Sequence, residues 1–365
     1  MTQMTNTGRP RPRPRSINTT QINSHLLQIL QQTDPITSTK SKTVKLYQQL
    51  AAKSKYRSKN QLTVLEGHRL IIDTLANKHT RKLYRDILVT EEALLHPQLG
   101  TQLSLEIERI INEQDLEQDQ DDATVNKCRV RLASQGAVKA ACDTVTPQGV
   151  VALLDIPPPY QIDMDMNADM NADMKMDHQE EKQKAKLFLL LDGISDPGNV
   201  GTLLRSAKAI GAECVLLLPG SCDVWNPKAI RSAMGTSFTV PIRSIKSWKD
   251  CLDFMDSCGV DPECIYAATM EGSEGLVASK ESKAHFHVDW MSHSNALILG
   301  KEGSGLSEQV RDSVARGQIR SVHVPMEEGV ESLNVGTCGS VVMFEYHRQL
   351  QLQQQQQQQL LKGQE

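Results

Sequence analysis

Short apolar runs alternate with helical patterns along the second half of the chain. The apolar runs fall at residues 187–191, 214–218, 264–268, 296–299 and 321–324. Apolar residues spaced three or four apart, as on one face of a helix, recur at about 199–210, 226–235, 247–257, 306–316 and 333–349. Strand-sized apolar runs that alternate with helices are typical of a parallel sheet covered by helices on both faces. The pattern therefore predicts an α/β domain over residues 185–348.

A smaller set of elements precedes it. Residues 62–67 read as a strand that ends in a turn, a helical pattern follows, and 87–90 and 145–154 read as further strands. We therefore predict a small α/β domain over residues 46–155. The acidic stretch at 113–122 is expected to be an exposed loop inside this domain.

Three segments lack such patterns. Residues 1–45 are predicted to be a disordered basic tail, and residues 156–184, with three consecutive prolines and a repeated Asn-Ala-Asp-Met unit, an acidic low-complexity linker or insertion. Residues 349–365 form a glutamine-rich tail that is expected to extend the last helix or to fray. No apolar run approaches the ~20 residues of a membrane helix, so no membrane partner is expected.

Charge is distributed unevenly along the chain. The net charge is −4, yet residues 1–65 carry eleven Lys and Arg against one acid. A basic arm on an acidic body fits contact with phosphates, although a solvated or targeting tail is the favoured interpretation for residues 1–33. This acid-free, Arg-, Ser- and Thr-rich start resembles an organellar transit peptide, mitochondrial or plastid, and the alternative is a disordered tail on a cytoplasmic protein. The eight cysteines include no C-x-x-C pair and match no zinc pattern, so no metal is predicted.

Three turns of the second half carry glycine or proline and a few polar side chains, at 196–205, 299–306 and 324–334. Each follows an apolar run, and α/β proteins bind ligands at the carboxyl ends of such strands. Asn199 is predicted to cap the helix after the first turn, and Ser332 and Asn334 the helix after the third. The second turn matches neither a dinucleotide fingerprint nor a P-loop. Taken singly, each turn is more often structural than functional.

The three turns together resemble the SpoU branch of the SPOUT RNA methyltransferases, over residues 187–347. The resemblance implies a parallel-sheet SPOUT fold with a C-terminal deep trefoil knot, which no spacing could reveal, and a homodimer through the knot region. Residues 54–155 resemble the L30e-like RNA-binding domain found in ribosomal-RNA members of the family. The segments that carry this second resemblance are Lys55-Tyr56-Arg57, Glu66-Gly67-His68-Arg69 and 146–150.

By this resemblance the chain is an S-adenosylmethionine-dependent enzyme that methylates a ribose 2′-hydroxyl in ribosomal RNA, with guanosine the expected target. The alternatives are a tRNA substrate, or a non-catalytic RNA-binding or ribosome-assembly protein on the same fold. The implied catalytic residues are Asn199, Arg205, Glu302, Ser332 and Asn334. Arg205 is expected to orient the hydroxyl or a phosphate as a cation, because a guanidinium does not deprotonate near neutral pH.

The resemblance also implies residues that contact the ligands. The cofactor-binding residues are expected to be Thr269, Leu299, Gly300, Glu302, Gly303, Ile319, Val324, Met326, Leu333 and Asn334. The RNA-binding residues are expected to be Lys53, Lys55, Arg57, Lys59 and Arg69. Because aromatic residues are only 4% of the chain, phosphate contacts are expected to outweigh base stacking.

Overall fold

The computed structural model describes residues 19–116, 127–161, 185–269 and 282–362 of the 365. Within these ranges the chain forms two sheets, one in each half. The helices are α1 (Thr19–Leu30), α2 (Lys42–Ala52), α3 (Ser54–Asn60), α4 (His68–Ala76), α5 (Lys78–Arg81), α6 (Glu91–Leu94), α7 (Gly100–Leu116), α8 (Gln135–Ala141), α9 (Pro197–Ile210), α10 (Pro227–Ser232), α11 (Trp248–Ser257), α12 (Glu308–Ala315) and α13 (Val335–Lys362). The strands are β1 (Leu62–Glu66), β2 (Tyr84–Val89), β3 (Arg129–Leu132), β4 (Val150–Asp155), β5 (Leu187–Asp192), β6 (Cys214–Leu217), β7 (Ile242–Ser244), β8 (Ile265–Ala268), β9 (Lys283–Ala284), β10 (Asn295–Gly300) and β11 (Arg320–His323). Short 3-10 helices cover Thr236–Phe238, Pro262–Cys264 and His285–His287.

The first sheet has the strand order β1-β4-β2-β3. Its central strand β4 runs antiparallel to β1 and β2, whereas β3 pairs parallel to β2. Successive residues of β1 point to opposite faces, so that Val64 lies in the core beneath α2 and α8 while Leu65 lies in the core beneath α4 and α7. Helices therefore cover both faces, and we call this half the first unit.

The second sheet has the strand order β7-β6-β5-β10-β8-β11-β9, with every pair parallel. Leu189 lies in the core on one face and Leu190 in the core on the other, which explains why the strands read as unbroken apolar runs. The predicted α/β fold with a parallel sheet is confirmed. The edge strands β7 and β9 were not predicted, because two or three residues make no recognisable run. The trefoil knot and the L30e-like character of the first unit stay predictions.

Two predicted features near the start of the chain are wrong. Residues 1–45 were expected to be disordered, but α1 packs Leu26 and Leu30 into the first unit, where both are almost fully buried. The boundary at residue 46 falls inside α2, whose buried stripe already begins at Val44. A few leucines spaced four apart are sufficient to anchor a helix, and the surrounding polar residues conceal them in the sequence. Residues 1–18 lie outside the described residues.

The other predicted boundaries differ from the structure at three places. Residue 349 does not end the second domain, because α13 continues to Lys362 and Leu350 is buried in the core. The acidic stretch begins inside α7, where Glu113 pairs with the buried Arg81, and its residues 117–122 lie outside the described ranges. Of the predicted linker 156–184, Tyr160 binds the second sheet by donating its N–H to the carbonyl oxygen of Ile242 at 2.9 Å, and residues 162–184 are not described. No helix within the described ranges is long and apolar enough to cross a membrane.

Candidate active site at the carboxyl edge of the parallel sheet

The three turns singled out in the sequence meet at one edge of the second sheet. Strands β5, β10, β8 and β11 run in the same direction, and their last residues are level because Leu299 pairs with Leu191 and Val322 with Ala268. The first turn leads from β5 into α9, the second leaves β10, and the third connects β11 to α13. We call this side of the sheet the carboxyl edge.

A hydrogen-bonded amide links the three turns. Asn334 Nδ2 donates to Asn199 Oδ1 at 3.0 Å and to Glu302 Oε1 at 2.6 Å, across 135 and 32 residues of sequence. Asn334 Oδ1 accepts the backbone N–H groups of Gly336 at 2.9 Å and Thr337 at 3.2 Å. Both ends of the amide are therefore used, one to cap α13 and the other to bind the two neighbouring turns. We call Asn199, Glu302 and Asn334 the amide cluster.

Asn199 does not cap α9, contrary to the prediction. The cap is Asp196, whose Oδ1 accepts the backbone N–H of Asn199 at 3.0 Å, and Pro197 occupies the first helical position. Proline is common there because its missing N–H would have no partner in the helix. Asn199 lies inside the first helical turn, and its side chain is directed to Asn334 instead. The helix ends at Ile210, as the pattern over 199–210 predicts, and Gly211 follows with a φ of +72°.

A tight glycine-rich loop presents Glu302. Lys301 and Gly305 exchange both backbone hydrogen bonds, at 2.9 and 2.8 Å, and Gly303 has a φ of +78°. A Cβ on Gly300 would lie 2.6 Å from the carbonyl carbon of Gly305, so a side chain there is excluded. The far end of the loop is held by Asp192, a buried carboxylate that accepts the N–H of Ser307 at 2.6 Å. Glycine is thus required by the loop itself, and Glu302 stays exposed at its tip.

Two of the five predicted catalytic residues are not part of the amide cluster. Arg205 is exposed and forms no hydrogen bond or ion pair with any residue that the structure describes. It lies six residues beyond Asn199, which is about 9 Å along the helix axis. Ser332 is also exposed and makes no side-chain hydrogen bond within the described ranges. The chain therefore brings together three of the five residues.

The predicted cofactor residues lie at the carboxyl edge, with one exception. Thr269 continues the pairing of β8 by donating its N–H to Val322 O at 2.9 Å, while Leu299 and Gly300 end β10. The others at this edge are Glu302, Gly303, Val324, Met326, Leu333 and Asn334. Ile319 is the exception, because it precedes β11 at the opposite edge, about 16 Å of extended chain from Val324, and is buried in the core. The prediction for Ile319 is wrong.

Among the predicted RNA-binding residues, Arg57 is wrong. It is 2% exposed, and its Nη2 and Nε donate to Asp223 Oδ2 at 2.6 and 2.9 Å while Nη1 donates to the carbonyl oxygen of Leu50 at 2.6 Å. A side chain so fully bonded inside the protein cannot reach a phosphate. Lys53, Lys55 and Lys59 are exposed, and none forms a hydrogen bond or ion pair with a described residue.

Arg69 is also exposed but pairs with Asp73, Nε to Oδ2 at 3.1 Å, one helical turn away. Such exposed pairs are weak, so Arg69 can exchange this partner for a phosphate. The RNA-binding role of the three lysines and Arg69 stays a prediction.

Sequence reasoning missed several residues that hold the site. Asp192 follows directly on an apolar run, and Asp196 stands before a proline, a combination that is a stronger cap signal than Asn199. The pair of Glu66 and Arg231, which joins the two units, has no local signal because its members are 165 residues apart.

The parallel sheet defines the class of fold. The structure matches that of an AdoMet-bound rRNA methyltransferase from Sinorhizobium meliloti with a TM-score of 0.62, covering 86% of this chain and 97% of the other at 20% identity. At that identity the match speaks for the fold. Residues 186–344 match the model of the SpoU rRNA methylase family, and this domain of the chain belongs to that family. The resemblance seen in the sequence is confirmed.

Two relatives extend the comparison beyond the domain. The chain is 30% identical over 240 residues to "rRNA methyltransferase 3A, mitochondrial" of Danio rerio, covering 58% of this chain and 52% of the relative. It thus spans about half the length of that protein. It is 25% identical over 311 residues to "23S rRNA (guanosine(2553)-2'-O)-methyltransferase RlmP" of Bacillus subtilis, covering 85% of this chain and 97% of the relative.

Proposed function

We propose that the protein is an S-adenosylmethionine-dependent methyltransferase that modifies a ribose 2′-hydroxyl, of a guanosine, in ribosomal RNA. The observation that carries the proposal is the amide cluster, which joins three distant turns at the ligand-binding edge of a SpoU-family domain. Both relatives named above are rRNA methyltransferases, and the Bacillus subtilis protein is named for 2′-O-methylation of a guanosine.

The residues at the carboxyl edge fit the cofactor. When bound, S-adenosylmethionine supplies a methyl group on a sulfonium, so the protein has to bind and orient rather than to generate an electrophile. Gly303 has a positive φ and no atom within 4 Å of an added Cβ, which leaves the loop backbone open to a ligand. Half-buried Val324 and Met326 offer apolar surface at the same edge of the sheet. These are the features that a flat, mostly uncharged nucleoside needs.

The amide cluster and Arg205 are assigned to the ribose. Asn334 donates to the side-chain oxygens of both Asn199 and Glu302, so the cluster presents a group of aligned polar side chains to a hydroxyl. Arg205 stays protonated near neutral pH, and we assign it to orient the hydroxyl and to stabilise negative charge on its oxygen.

Arg205 is assigned to the site of a partner subunit in a homodimer, since within one chain it has no link to the cluster. The helix α13, which packs on α9 through Ser206 and Ser340, supports this arrangement. It exposes 36% of Val341 and 50% of Phe344, three residues apart on one face. Such an apolar face next to a functional helix fits a second copy of the chain. The homodimer can be checked by the mass of the purified protein in solution.

The test combines cofactor binding with mapping of the product. Calorimetric titration with S-adenosylmethionine is followed by incubation with in vitro transcripts of mitochondrial and cytosolic large-subunit rRNA and nucleotide-resolution mapping of ribose methylation. We expect one methylated position. Arg205→Ala should abolish methylation while cofactor binding survives, and Arg311→Ala, an exposed arginine on α12, should behave as the unaltered protein. Near-normal turnover by Arg205→Ala would refute the role of Arg205.

The same experiment separates the alternatives. A protein that binds the transcripts but releases no heat with S-adenosylmethionine is a non-catalytic RNA-binding protein, and one that methylates only tRNA transcripts has a different substrate. We further propose a mitochondrial location, which the name of the Danio rerio relative and the acid-free, Arg-rich residues 1–18 ahead of α1 support. Imaging of a C-terminally tagged protein tests this location, and a cytoplasmic signal contradicts it.

A further inference from the structure

The first unit is bound to the second domain by polar contacts of Arg57, which precedes β1, and of Thr63, which lies within β1. Arg57 binds Asp223 as described, and Thr63 Oγ1 donates to the carbonyl oxygen of Trp225 at 2.7 Å. Three side chains of the second domain also pack into the core of the first unit, namely Trp225, Ile230 and Phe238. We call this contact region the joint.

At the centre of the joint lies an ion pair between Glu66, the last residue of β1, and Arg231 of α10. Glu66 is 3% exposed and also accepts the backbone N–H of Asp143 at 3.0 Å. The second guanidinium nitrogen of Arg231, Nη2, lies 3.5 Å from Asp143 Oδ2. One oxygen of the buried carboxylate, Oε2, accepts from the backbone N–H groups of Asp143 and Thr144 and from the Thr144 hydroxyl, all in its own unit, while the other, Oε1, accepts from Arg231 of the second domain. An arrangement of this kind depends on orientation, because groups of both units must be aimed at one carboxylate.

The helix that carries Arg231 is in close contact with the helix that carries the proposed catalytic residues. Gly201 of α9 faces the end of α10, where an added Cβ would collide with Ser232 and lie 2.7 Å from the backbone nitrogen of Ala233. Backbones at this distance cannot slide without separating. Asn199 lies two residues before Gly201. A continuous chain of contacts therefore runs from Glu66 through Arg231 and α10 to the start of α9.

We propose that Glu66 and Arg231 are positioning residues that hold the first unit in a fixed place relative to the amide cluster. The proposal rests on the proposed function, in which exposed lysines of the first unit bind RNA while the second domain methylates it. RNA held by one unit must present a single ribose to the other, and small misplacements of a reacting group strongly reduce rate. Loosening the joint should therefore lower kcat and change KM little, since the RNA-binding surface itself is intact.

The test compares three proteins with the unaltered chain. Arg231→Met removes the cation, Arg231→Lys keeps the charge with a single donor group, and Arg85→Met removes an ion pair that lies within the first unit, to Asp155. On the rRNA transcript we expect Arg231→Met to lower kcat about tenfold or more with KM within about threefold, and Arg231→Lys to recover part of that loss. Arg85→Met should stay within about twofold of the unaltered chain in both constants.

Cofactor titration distinguishes positioning from unfolding. Binding of S-adenosylmethionine at an unchanged number of sites per chain, with Kd within about twofold, shows that the Arg231→Met domain is folded. Because this variant leaves Glu66 buried without its cation, the double variant Glu66→Gln, Arg231→Met serves as the replacement if the single one fails to fold. Either variant with kcat within about twofold of the unaltered chain overturns the proposal, as does an equal loss for Arg85→Met.

Scanning calorimetry tests the joint without relying on activity. We expect the unaltered chain to unfold in one transition and the Arg231→Met or double variant to unfold in two, one for each unit. A single transition in the variants contradicts the joint. If the unaltered chain neither binds S-adenosylmethionine nor methylates RNA, the proposed function fails, while calorimetry still decides whether the pair couples the two units.

Discussion

Asn334→Asp separates the two tasks of Asn334. The aspartate keeps an oxygen that accepts the N–H groups of Gly336 and Thr337, so the cap of α13 survives. It replaces the amide donor that binds Asn199 and Glu302 by a second carboxylate oxygen. The new carboxylate then faces the carboxylate of Glu302, which has the same charge, and the side-chain oxygen of Asn199, which is also an acceptor. The link between the three turns is lost while the helix is retained.

The magnitude follows from the two bonds that are lost. The bond to Glu302 involves a carboxylate and is worth about 1.5–3 kcal/mol in a protected place, and the bond to Asn199 about 1 kcal/mol. Asn334 and Glu302 are both exposed, which reduces these contributions, and like charges at this separation add about 1 kcal/mol in a watery environment. A net loss of about 2 kcal/mol in the alignment of the cluster corresponds to a roughly thirtyfold lower kcat. The free energy of unfolding should fall by no more than about the same 2 kcal/mol, because the cap is kept.

The assay measures methylation of the rRNA transcript with labelled S-adenosylmethionine, beside thermal unfolding of the same protein. Asn334→Ala should lose both activity and the cap, about 1 kcal/mol of stability, whereas Ser247→Ala, which removes the cap of the distant helix α11, should lose a similar stability and no activity. Asn334→Asp with kcat within about threefold of the unaltered protein refutes the reasoning, since the amide would then not be what aligns the cluster.

Three further predictions concern the supporting structure. Arg57→Met should lower the free energy of unfolding in urea by about 2–3 kcal/mol, because it leaves the half-buried carboxylate of Asp223 without its cation and the carbonyl oxygen of Leu50 without its donor. Lys55→Met should stay within about 0.5 kcal/mol, and equal effects contradict the burial of Arg57. Gly339→Ala should cost about 1–3 kcal/mol by thermal unfolding, since an added Cβ collides with two core leucines, and an unchanged midpoint shows that α13 packs less closely than described. Replacing Lys53 and Lys59 by Gln should reduce the salt dependence of rRNA binding by about two units of slope in filter binding, and an unchanged slope removes both lysines from the RNA surface.

The sheet could be predicted because its central strands are buried on both faces. A run such as Leu187–Leu191 can be read from the sequence since every residue of the strand requires an apolar side chain. The edge strands β7 and β9 escape this signal because they are short and half solvated. The helix α1 escapes it for a different reason: among residues 23–30, whose burial is described, three leucines are the buried ones, and composition assigned the whole segment to a tail.

The site could be predicted only as three turns that share one edge. That edge follows from parallel strands, and the resemblance selected Asn199, Glu302 and Asn334 within it. The hydrogen bonds among them depend on how the turns are spaced in three dimensions, which no local pattern records. The same limit explains Arg57, whose basic neighbourhood predicts an exposed residue, while its partner Asp223 is 166 residues away.

Three arginines of the first unit with little exposed surface bind carboxylates of the protein: Arg57 pairs with Asp223, Arg81 with Glu113 and Arg131 with Asp86. A planar guanidinium can satisfy a carboxylate and carbonyl oxygens together, which suits it to burial, whereas an ammonium is a strongly hydrated point charge. The exposed cations of α3 and its entry are accordingly lysines. Lysines on a surface with few aromatic residues bind phosphates, and this binding weakens with salt. Such contacts do not distinguish one base from another. If RNA binds here, the choice of nucleotide must arise where the joint and the amide cluster fix one ribose, not on the lysine surface.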